Sequence, residues 1–463
     1  MLSRWLHANI VYPGIVVARG EGALFSRLAE LRAAERLPGQ VLAERQERRL
    51  AAMLNYAAEH SPYYHARWPA GTATSARDAR RRLAELPLVT KADVQEWFDQ
   101  LQARPRVGRT ARKTTGGSTG QPVTVLKDRR ATAYERAAMW LGYGWFGNAI
   151  GDRVARFWGV PFTFRNRLQM AAGDFAMHRV RFSAFAFREA DLERYWKRCA
   201  AFRPDFLHGY VSMLEAFAQF VARRGYDGCR LGLKSIVATS EVLTPPQRER
   251  IERTFGAPVQ VEYGCGEVGP IAYSCERGGL HVMTEDVVVE LLTPQGDAAG
   301  PGEAGEVVVT DLNNRAMPLV RYRLGDFAVA GSALPCACGR GFPLLEKVWG
   351  RAYDFVETSG GQRYHGEFFM YLFEDLRRDG AEVQQFQVTQ DGPQALDVAV
   401  VVPGRLDAAL AGRIRALLAE RLPEMKDVAV RQVSDIPRTD SGKMQVIRRA
   451  WSRAQPVAIG SRE

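Results

Sequence analysis

Hydroxyl-bearing residues and glycines are concentrated in residues 112–123, which read Arg-Lys-Thr-Thr-Gly-Gly-Ser-Thr-Gly-Gln-Pro-Val. Glycines let successive backbone N–H groups converge on one oxyanion, while hydroxyls and a neighbouring lysine add donors and positive charge. We therefore predict a phosphate-binding loop that leads into a β-branched strand. Its candidate ligand-binding residues are Thr114, Thr115, Gly116, Gly117, Ser118, Thr119 and Gly120.

Two known loop motifs fit this segment less well. The Walker A spacing G-x-x-x-x-G-K-[ST] is absent. Residues 116–120 match G-x-S-x-G, the turn that holds a nucleophilic serine in α/β-hydrolases. That turn leads into a helix, whereas Pro122 and the β-branched run after it predict a strand. A hydrolase turn and a purely structural loop are therefore the alternatives, and phosphate binding is favoured.

A second candidate segment is residues 263–267, Tyr-Gly-Cys-Gly-Glu, which follow a predicted strand. Residues 264–269 also fit the dinucleotide pattern G-x-G-x-x-G, but a proline follows and no long helix begins there, so the confirming context fails. Tyr263 can stack on a purine, and the Glu267 carboxylate can hold the Mg²⁺ that accompanies phosphates. Asp326, after a glycine at a predicted strand end, can accept hydrogen bonds from ribose hydroxyls; the alternative is an ordinary turn residue.

Four Cys and His side chains form a candidate metal site. Cys275 and His281 flank a glycine-rich turn, and Cys336 and Cys338 lie further along in the same predicted β-rich section. Three thiolates and one imidazole make a four-ligand set of the kind that binds structural Zn²⁺, although the C-x-C spacing is tighter than the usual C-x₂-C. We predict a zinc ion that stabilises this section and does no chemistry; the alternative is four reduced, unligated side chains.

The composition indicates a folded globular chain. It has 463 residues, 46% of them hydrophobic, which is enough for one large and one smaller domain. The net charge is +11, but no segment interleaves basic residues with stacking aromatics, so a solvated surface is favoured over nucleic-acid binding. Six cysteines without a secretory leader indicate a reducing compartment, and the cytoplasm is expected. The apolar residues 5–18 are too few for a transmembrane segment.

The elements that must position these residues follow from periodicity. Apolar residues at helical spacing predict a helical region over residues 24–102. From residue 191 onward, helices alternate with short apolar runs, which predicts parallel strands in βαβ units, whose carboxyl ends are where ligands gather. A separate β-rich section is expected next. A composition change near residue 350 predicts a final α+β module, whose last loop presents Lys443 on a glycine-containing turn.

In their order, these segments resemble the adenylate-forming superfamily of acyl-CoA synthetases, most closely its phenylacetate-CoA ligase-like, CapK-like branch. The resemblance spans nearly the whole chain. It implies a large α/β N-terminal domain that binds ATP and the acid, residues 1–350, and a small mobile α+β C-terminal lid, residues 351–463. The segments similar to family motifs are residues 114–123 (phosphate loop), 263–267 (Y-G-x-x-E), 322–326 (Y-R-x-G-D), 350–351 (hinge), 437–443 (catalytic-lysine loop), 86–91 and 61–64.

The resemblance implies a two-step reaction. A carboxylate attacks the α-phosphate of ATP to give an acyl-adenylate and pyrophosphate, and a thiol, usually that of coenzyme A, then displaces AMP. Because AMP is a far better leaving group than oxide, such an enzyme mainly positions groups and neutralises charge. The resemblance implies that residues 114–120 hold the β- and γ-phosphates and that Ser240, Glu241 and Tyr263 surround adenine, with Gly264 beside them. Asp326 would bind the ribose hydroxyls, and Arg351 would lie near the ribose and the phosphate. Glu267 would bind Mg²⁺, and Lys443 would lie between the attacking carboxylate and the phosphate.

One position departs from the family pattern. Where the family commonly has an acidic hinge residue, two positions after the arginine, this chain has Tyr353, and Asp354 comes one later. The departure leaves the thioester-forming step less supported than adenylation. A ligase that passes the acyl group to an amine or a hydroxyl, as in polysaccharide or secondary-metabolite tailoring, is therefore the alternative within the enzyme class, and a basic nucleic-acid-binding protein is the remote one.

The acid itself is not fixed by the sequence. Its pocket is expected near residues 140–146, Tyr210 and residues 264–271. Aromatic residues are abundant there, which favours a hydrophobic or aryl carboxylic acid, although large aromatics are core residues by default. A homodimer is compatible with the sequence, which does not determine the oligomeric state.

Overall fold

The computed structural model describes most of the chain. The described residues are 2–68, 73–115, 123–159, 171, 173–184, 188–351, 355–360, 363–439 and 443–451. They form a mixed α/β structure, which confirms the predicted fold class. Two compact units divide after Gly350; Lys443 groups with the first unit. The functions predicted for the two parts, an ATP- and acid-binding domain and a lid, stay predictions.

The first unit begins with the predicted helical region. Thr90 starts one helix with a capping box, because its hydroxyl accepts a hydrogen bond from the Asp93 amide (3.2 Å) while the Asp93 carboxylate accepts one from the Thr90 amide (2.7 Å). Among the described residues, no helix combines the length and apolar composition needed to cross a membrane. The helices are α1 (Leu2–Leu6), α2 (Tyr12–Ala18), α3 (Ala23–Ala34), α4 (Gly39–His60), α5 (Pro62–Arg67), α6 (Ala79–Glu85), α7 (Lys91–Glu96) and α8 (Phe98–Leu101), with a π-helical turn at His7–Val11 and a 3₁₀ turn at Ala76–Asp78.

The predicted phosphate loop is shorter than the sequence indicated. Strand β1 (Thr110–Thr115) pairs antiparallel with β2 (Val123–Asp128), and Thr115 lies opposite Val123. The prediction that Thr114 and Thr115 belong to the loop is therefore wrong, since both are paired across a hairpin, where β-branched threonine fits well. The five positions of the loop from Gly116 to Gly120 lie outside the described residues.

Parallel strands form the centre of the first unit, as the βαβ pattern predicts. Strands β3 to β7 pair parallel in the spatial order 4-3-5-6-7. One face of these strands packs under α10, α11 and α12, and the other packs against α3 and α9. The elements are α9 (Arg129–Gly144), β3 (Val154–Trp158), β4 (Arg179–Ser183), α10 (Glu189–Phe202), β5 (Phe206–Tyr210), α11 (Val211–Arg223), a 3₁₀ turn (Gly228–Leu231), β6 (Ser235–Thr239), α12 (Pro245–Phe255) and β7 (Val259–Cys265).

The β-rich section is not separate from these strands, which corrects the sequence-based expectation. Strand β7 turns back into β8 as an antiparallel hairpin, and the described strands continue as one eleven-stranded sheet in the order β10-β11-β12-β13-β9-β8-β7-β6-β5-β3-β4. The hairpin reverses the strand direction without leaving the sheet. The added strands are β8 (Gly269–Ser274), β9 (Leu280–Val282), β10 (Val287–Leu292), β11 (Ala304–Asp311), β12 (Tyr322–Ala330) and β13 (Leu344–Arg351).

Three predicted site residues therefore lie on strands. Tyr263 and Gly264 belong to β7 and not to a loop after it, and Asp326 lies inside β12 and not at a strand end. Pairing with β8 extends β7, since Gly264 faces Pro270 across the hairpin. A Cβ at Gly264 would lie 2.6 Å from the Gly269 carbonyl oxygen, so only glycine allows this approach.

The second unit has the α+β content that the sequence predicts. Its larger sheet has the described strand order β18-β17-β16-β19. Phe373 stacks on Phe386 in its core with ring centroids 3.9 Å apart, and Asp407 caps α14 by accepting the Leu410 amide (2.7 Å). The elements are β14 (Phe355–Glu357), β15 (Arg363–His365), α13 (Gly366–Arg378), β16 (Gln385–Gly392), β17 (Ala395–Val401), α14 (Ala408–Arg421), β18 (Asp427–Gln432) and β19 (Ile447–Arg449).

Candidate functional site

The residues predicted to bind adenine and ribose are in direct contact. The Tyr263 hydroxyl donates a hydrogen bond to Oδ2 of Asp326, 3.0 Å away. Tyr263 is only 9% exposed, and a register shift in the β7–β8 hairpin falls between it and Gly264. The ring and the carboxylate meet although β13, β9 and β8 lie between their strands in the order of the sheet. A flat aromatic and a hydrogen-bond acceptor for a diol are what a nucleoside needs.

The predicted magnesium ligand is held by a buried tyrosine. Glu267 lies in the turn between β7 and β8, is 6% exposed, and accepts a hydrogen bond from the Tyr322 hydroxyl at 3.2 Å. Tyr322 begins β12, four residues before Asp326. Hydrogen bonds of this kind orient carboxylates that bind metal ions. The donor set suits Mg²⁺, and binding of the ion stays a prediction.

A lysine that the sequence analysis missed lies close to this site. Lys127 on β2 forms an ion pair with Glu135 on α9, and Lys113 reaches the same carboxylate at 3.4 Å. Burial and the charge of Lys113 lower the pKa of Lys127 to about 7, while Asp311 and Glu267 favour its charged form. Alternation along β2 carries the signal, because Lys127 falls on the buried face that begins with Val123 and Val125.

Ser240 and Glu241 follow the end of β6. Ser240 has φ of +69°, a left-handed conformation that is uncommon outside glycine and concentrates at functional sites. The Glu241 carboxylate accepts hydrogen bonds from the amide (2.6 Å) and hydroxyl (3.1 Å) of Ser212 in the first turn of α11. Glu241 therefore ties the strand end to a helix N-terminus. Its contact with adenine stays a prediction.

The other predicted residues are less constrained by the structure. Thr114 shares a hydrogen bond with the Thr124 hydroxyl across the hairpin, 3.0 Å apart. Arg351 ends β13, and Lys443 lies half-buried between β18 and β19. The two hinge candidates, Tyr353 and Asp354, lie outside the described residues. The roles proposed for all of these positions stay predictions.

A deeper polar network lies beside the nucleotide residues. The Glu262 carboxylate accepts hydrogen bonds from the hydroxyls of Tyr143 (2.6 Å), Thr239 (3.1 Å) and Tyr273 (3.3 Å) and lies 3.7 Å from Nε2 of His208. Burial alone would raise the pKa of Glu262, but His208 and these donors outweigh it and lower the pKa to about 2. Burial lowers the pKa of His208. The imidazole of His208 and the hydroxyl donors therefore act together to favour the ionised carboxylate.

The four predicted zinc ligands converge. The ligand atoms of Cys275, His281, Cys336 and Cys338 all lie within 4.8 Å of one another. The sulfurs of Cys275 and Cys336 are 3.7 Å apart, near the roughly 3.8 Å edge of a tetrahedron with 2.3 Å Zn–S bonds and too far for a disulfide. Nδ1 of His281 lies 2.9 Å from the Phe342 carbonyl oxygen, so a proton there leaves Nε2 directed at the Cys338 sulfur, 3.2 Å away.

Comparison with known proteins agrees with this architecture. The family described as "AMP-binding enzyme" matches residues 114–314. A phenylacetate-coenzyme A ligase from Thermus thermophilus is 25% identical over 453 residues, which cover 89% of this chain and 97% of that protein. Protein CapK from Staphylococcus aureus is 22% identical over 326 residues, covering 68% and 69% of the two chains.

A solved structure supports the fold. The 2-hydroxyisobutyryl-CoA ligase in its postadenylation state with 2-HIB-AMP matches with a TM-score of 0.70 at 19% identity, covering 89% of this chain and 90% of that one. Fold, matched family and site together define an adenylate-forming enzyme. The comparisons support an adenylate-forming protein similar to the phenylacetate-CoA ligases and CapK, in agreement with the resemblance that the sequence indicated.

Proposed function

We propose that this chain activates a carboxylic acid with ATP through an acyl-adenylate, releasing pyrophosphate, and transfers the acyl group to coenzyme A, releasing AMP. The observation that carries the proposal is the contact between Tyr263 and Asp326, beside the Glu267–Tyr322 pair. These contacts bring together groups suited to a purine, a ribose and a phosphate-bound cation from distant strands of one sheet. Tyr263 and Glu267 lie inside the segment that matches the AMP-binding family, and Tyr322 and Asp326 follow shortly after its end.

Each residue has a defined task in this reaction. Tyr263 stacks on adenine, and Asp326 accepts hydrogen bonds from the ribose hydroxyls. Glu267, oriented by Tyr322, holds the Mg²⁺ that neutralises charge on the phosphates. Lys443 stabilises the negative charge that develops as the substrate carboxylate attacks the α-phosphate. These steps need positioning and charge neutralisation, and no protein nucleophile takes part.

Two further assignments belong to this proposal. Mg²⁺ is the divalent cation at Glu267, and Zn²⁺ is the structural ion held by the Cys275, His281, Cys336 and Cys338 cluster. The reduced thiols that such a cluster requires fit the cytoplasm as the site of action. An amine or hydroxyl acceptor in place of coenzyme A is the second candidate, and the similarity to protein CapK is the observation in its favour.

The identity of the nucleotide product tests the proposal. Purified protein with Mg-ATP and pooled aryl, fatty and amino acids should form AMP and pyrophosphate only when acid is present, and Lys443→Ala should lose this activity. Acid-dependent thioester formation on addition of coenzyme A would select it as the acceptor over an amine or a hydroxyl. Formation of ADP, or AMP formation that Lys443→Ala leaves unchanged, would refute the proposed mechanism.

A further inference from the structure

An arginine that forms no ion pair with any described residue lies on the same sheet as the candidate nucleotide site. On β3, Ala155 and Phe157 belong to the core under α10 and α11, so Arg156 points to the opposite face. Trp158, at the strand end, packs against the edge of that core and also lies beside the Arg156 guanidinium. Arg156 is level with Arg181 on β4 and His208 on β5. Two residues nearer the carboxyl edge, Trp158 begins a row that continues through the last residues of β5 and β6 and reaches Glu262 in the middle of β7. Arg156 is therefore set just behind the edge where ligands bind in parallel sheets.

The neighbouring charges of this cluster are already paired. Arg179 and Arg181 share the Asp174 carboxylate, each at 2.7 Å. Glu262 is occupied by three hydroxyl donors. Arg156, by contrast, makes no hydrogen bond or ion pair with any residue that the structure describes, and its Nε is buried without a partner.

No carboxylate in the described part of the chain forms an ion pair with this arginine. The undescribed residues 69–72, 116–122, 160–170, 172 and 185–187 contain neither Asp nor Glu, as the printed sequence shows. Burial and the charges of Arg179 and Arg181 lower the pKa of Arg156 to about 10, although the nearby Glu262 carboxylate favours the charged form, and the guanidinium stays charged at neutral pH. A desolvated cation without a counter-ion is costly unless a ligand supplies one.

Aromatic rings surround the guanidinium. Its central carbon lies 3.9 Å from the centroid of the Trp158 ring, an arrangement that favours the cation and fixes its plane. Trp158 also contacts the rings of Tyr210 (4.7 Å) and His208 (5.4 Å). A planar ligand that lies along these rings would bring a substituent at its far end to the guanidinium.

We propose that Arg156 binds a second acidic group on the substrate, so that the substrate is a planar aryl carboxylic acid that carries a further carboxylate. The inference rests on the proposed function and on the pocket expected for the acid near Tyr210, whose ring contacts Trp158. The guanidinium gives paired, charge-assisted hydrogen bonds to the second carboxylate, while Trp158 packs on the ring. The first carboxylate is left to attack ATP. Arg156 acts here as a specificity-determining residue.

Matched pairs of acids test this assignment. Benzoate is compared with terephthalate, and phenylacetate with 1,4-phenylenediacetate, by acid-dependent AMP formation in wild type, Arg156→Met, Arg156→Lys and Arg181→Met. Wild type should prefer the dicarboxylate of at least one pair, and Arg156→Met should lower that preference roughly 10- to 100-fold, the usual loss for a hydrogen bond to a charged group. Arg156→Lys should restore part of it. Arg181→Met, whose arginine already has a counter-ion, should leave the preference unchanged.

The preference is a ratio, so a variant that folds poorly loses activity on both acids and leaves the ratio intact. The assignment is wrong if wild type prefers the monocarboxylate in both pairs, or if Arg156→Met has the same ratio of dicarboxylate to monocarboxylate activity as wild type. In either case, acid-dependent AMP formation would still support the proposed function. Calorimetric titration of the same acids in the presence of AMP needs no turnover. If terephthalate or 1,4-phenylenediacetate binds in a manner that depends on Arg156 but no AMP forms in the assay, the binding site is supported and the proposed reaction is refuted. If neither acid binds, the proposed binding site is refuted.

Discussion

Tyr322 on β12 donates its hydroxyl hydrogen to the Glu267 carboxylate, 3.2 Å away, and both side chains are buried. The pair joins the turn after β7 to the strand that carries Asp326. The segment 86–91 is bound to the same place, because the Val89 amide donates to the Arg321 carbonyl and the Arg323 amide donates to the Val89 carbonyl, each at 2.9 Å. The proposed magnesium ligand is therefore fixed by three segments that are distant in sequence.

Replacing Tyr322 with phenylalanine should weaken magnesium use. The ring would stay, but the Glu267 carboxylate would lose the donor that orients it, and loss of such a bond typically costs about 10- to 100-fold in metal affinity or activity. We expect Tyr322→Phe to raise the Mg²⁺ concentration needed for half-maximal AMP formation. Tyr195→Phe is the matched control, because the Tyr195 hydroxyl donates to the Ser183 carbonyl elsewhere in the unit. Equal magnesium dependence in both variants would contradict the role of Glu267.

Asp326 should determine the preference for ribose. If its carboxylate accepts hydrogen bonds from the ribose hydroxyls, wild type should use ATP better than 2′-deoxy-ATP or 3′-deoxy-ATP. Asp326→Asn should reduce that discrimination by roughly 10-fold or more, as expected for a hydrogen bond to a charged group. Tyr263→Phe removes the hydroxyl that donates to Asp326 but keeps the ring, so it should change discrimination less than Asp326→Asn. The measurement is kcat/KM for each nucleotide, and unchanged ratios in Asp326→Asn would remove it from the ribose site.

Local patterns in the sequence predicted most of the elements but fewer of the contacts. Helices and parallel strands from residue 191 onward were predictable, because apolar periodicity depends on neighbours a few positions away. Thr114 and Thr115 were misplaced because their own strand, β1, is polar and gives no apolar alternation. Tyr263 and Asp326 were assigned to the wrong kind of element, since hydrogen bonds to distant strands decide how far β7 and β12 extend, and their ligand-binding roles stay predictions.

Contacts between distant residues lay beyond the sequence. Tyr263 and Asp326 are 63 positions apart, and nothing local indicates that their side chains meet. Lys127 had a visible signal, a lysine on the buried face of an otherwise apolar strand, yet its partner Glu135 follows from the packing of α9 on β2. The convergence of Cys275, His281, Cys336 and Cys338 was predictable because Cys and His residues that cluster in one section of a chain commonly bind a metal ion.

The Glu262 network should make stability depend on acid pH. The folded-state pKa of Glu262 is lowered from 4.5 to about 2, so its contribution is fully present above about pH 4.5 and is lost as the pH falls through 2. A shift of this size corresponds to roughly 3 kcal/mol. We expect wild type to exceed Glu262→Gln in free energy of unfolding at pH 6, with the difference shrinking between pH 4.5 and 2.

Denaturant unfolding at a series of pH values measures this difference. Glu249→Gln is the matched control, because Glu249 is 73% exposed on α12 and its ion pair with Arg253 is accessible to solvent. Its curve should run parallel to that of wild type throughout. A Glu262→Gln curve that also runs parallel would mean that the three hydroxyl donors do not favour the ionised carboxylate.

The cysteine and histidine cluster should contain zinc. Protein purified without chelator is expected to carry about one Zn²⁺ per chain by plasma mass spectrometry, since four convergent S and N ligands with one histidine oriented by a carbonyl form a closed structural site. Cys338→Ser should lose the metal and lower the melting temperature, because metal binding at such a site contributes directly to folding. Cys229→Ser, which replaces an exposed cysteine outside the cluster, should keep the bound metal and the wild-type melting temperature. Adenylation per folded molecule should follow stability and not metal content, as the ion does no chemistry. Metal-free wild type that melts like the protein supplied with zinc would show that the four side chains pack together as reduced groups.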